Sequence, residues 1–135
     1  MYPTKEEILE TPVKFRKGTI LIVKLWKTTA FKNWKLSTTG DKLEKLTELT
    51  KALSKIYRIK PPTMVPYSVY AYEPETQSIL VDIANPSIIS TLHELGHHIF
   101  GKSERKVCRW SIWLFKECFP LSYKKLKWEN HLLIK

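Results

Sequence analysis

Apolar side chains recur along this chain with two different periods, and each change of period marks a new element. From Asp41 to about Tyr57, residues Leu43, Leu46, Leu49, Leu53 and Ile56 fall at helical spacing, with Lys and Glu between them. Positions three and four apart share one helix face, so this run predicts an amphipathic helix with one buried stripe. Ile88, Leu92, Leu95 and Ile99 repeat the pattern after Asn85-Pro86, a favoured N-cap followed by a residue suited to the first helical position. Gly101 is placed to end that helix. Ser103 is placed to cap another, running from Glu104 to about Phe119 and stopped by Pro120. In this last helix Val107, Trp110, Trp113, Leu114 and Phe115 cover more than one face, which predicts burial on several sides.

Elsewhere the pattern points to strands. Thr19 to Trp26 is rich in Ile, Leu and Val and reads as a strand, and Phe31 to Leu36 alternates weakly as a second. Val69 to Glu73 and Ser78 to Ile83 flank Pro74-Glu75-Thr76-Gln77, a hairpin pattern. Lys5 to Glu10 reads as a short helix, and Pro61-Pro62 closes the long helix and opens an extended connection. The order is strand, long helix, hairpin, helix, helix, tail. It predicts one α+β domain over residues 1–135, a small twisted sheet backed by a helix, with 121–135 as a terminal packing segment.

The chemistry is concentrated in His93-Glu94-Leu95-Gly96-His97, an HExxH pattern. Residues four apart on a helix stand one turn above each other, so His93 and His97 can aim two imidazole nitrogens at one zinc ion. Glu94 lies on the flank of that face, where it can act as general base toward a water on the metal without ligating it. A catalytic zinc needs a third protein ligand. Glu104, seven residues after His97 and beyond a glycine turn, is the first choice. Glu117, twenty residues after His97, and the thiol of Cys108 are the rivals. His98 and the tyrosines of the hairpin are candidates for stabilising an oxyanion.

These residues carry a resemblance. His93-Glu94-Leu95-Gly96-His97-His98, followed by Glu104-Arg105-Lys106-Val107-Cys108, resembles the gluzincin zinc metallopeptidases, in which HExxH is followed by a glutamate helix written ExxAD. Glu104 matches the Glu and Val107 roughly the Ala, while Cys108 stands where Asp is common. At this size the chain is most similar to the minigluzincins and the ImmA/IrrE-type peptidase domains. The resemblance implies a zincin-like fold and a zinc ion held by His93, His97 and Glu104. It also implies an endopeptidase acting on a peptide or protein substrate with Glu94 as base. Because minigluzincins can hold a terminal segment against the cleft, it further suggests a latency role for 121–135, with Glu129 or His131 near the metal.

Charge adds a second possibility. The net charge is +10, yet Pro61 to Phe100 contains no Lys or Arg and four acids, Glu73, Glu75, Asp82 and Glu94. A neutral or acidic cleft with basic surfaces elsewhere is expected. Lys14-Phe15-Arg16-Lys17 and Lys124-Lys125-Leu126-Lys127 can attract nucleic acid phosphates or an acidic protein. The competing reading is therefore a catalytically weak scaffold that binds through these surfaces. Cys108 and Cys118 are the only cysteines, and ten residues of helix separate them by roughly 15 Å, too far for a disulfide. A reducing, cytoplasmic setting is expected. Met1 to Glu10 has no apolar core of a secretory signal, and Ile20 to Val23 is too short to span a bilayer, so no membrane partner is expected. Oligomeric state is left open.

Overall fold

The computed structural model of the chain describes residues 3–129 and 132–134. The long amphipathic run is α3 (Thr39–Ile56), capped by the Thr38 hydroxyl, which accepts from Asp41 N–H at 3.1 Å. Its stripe is buried as the spacing requires, with Leu46, Leu49 and Leu53 fully inaccessible. Before it come α1 (Lys5–Glu10) and α2 (Thr19–Thr28). The short first helix carries a capping box between Thr4 and Glu7, and Glu7 pairs with Arg105.

The segment expected as a strand at Thr19 to Trp26 is therefore a helix. A short apolar run is ambiguous between the two periods, and tertiary packing decides. Here Gly18 enters the left-handed region at φ 95° and starts the helix, and α2 packs on α3 and on the later aromatic helix. The second expected strand, Phe31 to Leu36, is also absent: Trp34–Leu36 form a 3-10 turn after Asn33 at φ 62°. Phe31 is buried there against the rings of Trp34 and Phe119.

Three strands form one mixed sheet in the order β1–β3–β2: β1 (Thr63–Tyr67), β2 (Ala71–Glu73) and β3 (Ser78–Asp82). The hairpin pairs antiparallel as expected, Tyr72 opposite Ile79. The connection after Pro61-Pro62 is more than a connection, since β1 pairs parallel with β3, Val65 opposite Leu80. Central β3 turns Ile79 and Val81 into the core. Both β1 and β2 are edges.

The motif helix is α4 (Ile88–Phe100) and the aromatic helix is α5 (Glu104–Cys118). The cap of α4 is Ser87, two residues later than the expected Asn85. The Ser87 hydroxyl accepts from Ser90 N–H, and Tyr70 Oη accepts from Ser87 N–H at 2.9 Å, so a side chain just before β2 helps set the entry. Leu92 and Leu95 are fully buried, and Ile88 and Ile99 pack at the rim of the same core. On α5, Val107, Trp110 and Leu114 are fully buried, which fits the multi-faced pattern. Trp110 Nε1 donates to Tyr57 Oη at 2.9 Å, and Arg16 N–H and Thr19 Oγ1 also reach that oxygen, at 3.3 Å each. One phenol thus joins the end of α3, the start of α2 and the middle of α5.

Pro120 ends α5 and opens a short α6 (Pro120–Lys124), followed by a separate hairpin, β4 (Lys127–Glu129) with β5 (Leu132–Ile134). His131 and the Glu129 side chain, expected near the metal if the tail is a latency segment, lie outside the described residues and side chains. The chain is α+β, with six α-helices and a small three-stranded mixed sheet among the described residues. No described helix is long and apolar enough to cross a membrane.

Candidate metal centre

Gly101 makes the turn on which the site depends. Its φ of 78° and ψ of −139° are open to glycine and strained for any other residue. Its N–H bonds to the His97 carbonyl at 2.9 Å, closing α4. Two residues later the Ser103 hydroxyl caps α5, and the chain returns along α4. The reversal carries Glu104 back over the histidines.

His93 and His97 stand one turn apart with ring centroids at 5.1 Å. The Glu104 carboxylate reaches both: Oε1 is 2.7 Å from His97 Nε2, and Oε2 is 3.5 Å from His93 Nε2. Ligands on a tetrahedral zinc at about 2.0–2.1 Å stand roughly 3.3 Å from each other, and the two separations of Glu104 from the histidines bracket that value. His97 Nδ1 donates to the Gly101 carbonyl at 2.8 Å, which fixes the ring with Nε2 facing inward toward Glu104. The donor set of two imidazoles and one carboxylate is a catalytic-zinc set. The residues present fit the ion.

Glu94 lies beside this group, with a carboxylate oxygen within 4.8 Å of the ligand atoms of His93 and His97. It is 9% exposed, and burial raises its pKa against the pull of the two histidines. Burial also works against the Glu104 carboxylate, but hydrogen bonds from His93 and His97 outweigh it and hold its pKa well below the ordinary value. That same carboxylate raises His97.

The two rivals for third ligand lie differently: Cys108 groups with His93 and Glu104, and Glu117 does not. Glu117 faces outward and accepts from Trp113 Nε1 at 3.3 Å, on the exposed side of α5. Cys108 sits behind the ligands, its Sγ 3.6 Å from Glu104 Oε2 and 3.9 Å from His93 Nδ1. Its thiol is fully buried, and burial followed by the Glu104 charge pushes its pKa far up, so it donates to Glu104 as a neutral thiol.

The site opens on a cleft of about 800 Å³. Tyr70 with Ala71 and Tyr72 of edge strand β2 form one wall, Ile89 and Ile112 part of the other. Lys102, Glu94 and Glu104 also line it. His98 is pinned in the wall: Nε2 donates to the Lys60 carbonyl at 2.6 Å, and Tyr72 Oη lies 2.7 Å from Nδ1. With Nε2 carrying the proton, the Tyr72 hydroxyl donates to Nδ1. Tyr70, the other hairpin tyrosine, spends its hydroxyl on Ser87 and Thr91. No protein-family model, curated protein or solved structure matches this chain.

Proposed function

We propose that this chain is a zinc-dependent endopeptidase of gluzincin type on a zincin-like scaffold. The observation that carries the reading is the convergence of His93 Nε2, His97 Nε2 and the Glu104 carboxylate, with Glu94 beside them in an open cleft. His93, His97 and Glu104 would hold the ion. When bound, zinc supplies Lewis acidity, polarising a carbonyl and lowering the pKa of a water to about 7.

The chain's own residues account for the rest. Glu94 is buried enough to raise its basicity, which suits a group that takes a proton from water and returns it to the leaving amine. Edge strand β2 has one unpaired backbone side next to the cleft. An extended peptide can add to it as a further strand, which would lay a scissile bond across the histidines. Tyr72 is the group we assign to the oxyanion: its hydroxyl would turn from His98 Nδ1 to donate there, the His98 N–H being held by the Lys60 carbonyl.

Glu94→Gln tests this reading. Native mass spectrometry should find one zinc per chain, as in the parent protein, while hydrolysis of a denatured-protein or peptide-library substrate falls by about 10²–10⁴-fold. Zinc bound with no hydrolysis by the parent chain on any such substrate would favour the non-catalytic scaffold, and no zinc at all would end the peptidase reading.

A further inference from the structure

The helical period of α2 creates a surface that a strand would have hidden. Thr19 and Val23 turn inward, and the helix packs on α3 and α5. Leu21 and Leu25, one turn apart, then face outward at 72% and 51% exposure, with Lys24 and Thr28 on the same side. Leu36, past the following turn, is 86% exposed. The surrounding chain from Thr11 to Gly40 holds seven basic residues and no Asp or Glu, and all seven basic side chains are exposed. None of these residues lines the metal cleft.

Each kind of partner meets this face differently. A nucleic acid would neutralise the lysines but leave the leucines without an apolar contact. A second copy would bring two chains of net charge +10 together. An anionic bilayer matches both features: phosphate headgroups meet the cations, and the acyl boundary takes the leucines.

We propose that the outward face of α2 docks the protein peripherally on an anionic lipid surface, with Leu21 and Leu25 entering the headgroup boundary. This revises the expectation of no membrane partner without invoking a span. It goes beyond the peptidase reading and does not depend on the metal.

The test is co-sedimentation of the full chain with phosphatidylcholine vesicles, with and without phosphatidylglycerol. Binding is expected only where phosphatidylglycerol is present. Leu21→Gln/Leu25→Gln should weaken it about tenfold or more. Lys17→Gln/Lys24→Gln should weaken it about fivefold per charge removed. All four positions are exposed, so circular dichroism and thermal midpoint should match the parent. Glu94→Gln should bind vesicles as the parent does. No binding to phosphatidylglycerol vesicles at low salt would overturn the proposal, as would equal binding by the leucine variant. Tighter binding to a single-stranded oligonucleotide, unchanged by the leucine substitutions, would assign the surface to nucleic acid instead.

Discussion

Val107 Cγ1 stands 2.9 Å from the point where a Cβ on Gly96 would lie, and Trp110 Cε3 stands 3.5 Å from it. Gly96, the fourth residue of the motif, is therefore a contact point of α4 and α5, and the approach it allows brings Glu104 within reach of the histidines. Val107 is β-branched and fixed at χ1 in a helix, so it cannot swing clear. Gly96→Ala should lose about 1–3 kcal/mol to overpacking, offset by about 1 kcal/mol of helix propensity. It should also weaken zinc binding by moving α5. Adding Val107→Ala should recover part of both losses, and a double-mutant cycle by urea unfolding measures that coupling.

Glu104→Ala should lower zinc affinity by at least about tenfold, read by chelator competition, because it removes a first ligand rather than an orienting group. Glu117→Ala should leave affinity unchanged, since that carboxylate is engaged with Trp113 on the outer side of α5. The reverse ranking would sink the assignment.

Cys108→Ser should change zinc affinity by less than about tenfold, the lower end for groups that orient ligands, because a neutral thiol at 3.6 Å is a weak support. Loss of all zinc in this variant would instead make Cys108 a ligand.

The two cleft tyrosines should part ways. Tyr70→Phe removes an acceptor for Ser87 N–H at the entry of α4 and should cost about 1–2 kcal/mol of stability. Tyr72→Phe should leave stability nearly unchanged and lower kcat more than it alters KM, since its partner His98 lies in the cleft wall.

Zinc at a hundred times its dissociation constant should stabilise the folded chain by about 2.7 kcal/mol and raise the thermal midpoint by roughly 10 °C. A chelator should reverse the shift, and His93→Ala should abolish it.

Much of this was legible in the amino-acid order. α3, α4 and α5 declare themselves because a 3.6-residue apolar period, a capping hydroxyl and a terminating glycine are all local signals. The hairpin of β2 and β3 is local for the same reason. His93, Glu94 and His97 need only one helix to share a side, so their grouping also follows from spacing. Other features needed the folded chain. The run Ile20 to Val23 suits either period, and only packing on α3 and α5 makes it helical. β1 contains Pro66, which argues against a strand until β1 proves to be an edge: Thr63 N–H points to β3, and Pro66 falls in the opposite parity, where no ladder bond is lost. The cap at Ser87 draws on Tyr70, seventeen residues away. The sequence by itself thus determined which residues share the motif helix and which helices hold the candidates. Tertiary structure alone sets Glu104 against both histidines, Cys108 beside it and Glu117 on the outer side, because that placement rests on how closely two helices approach across Gly96 and Val107, a distance that no local pattern encodes.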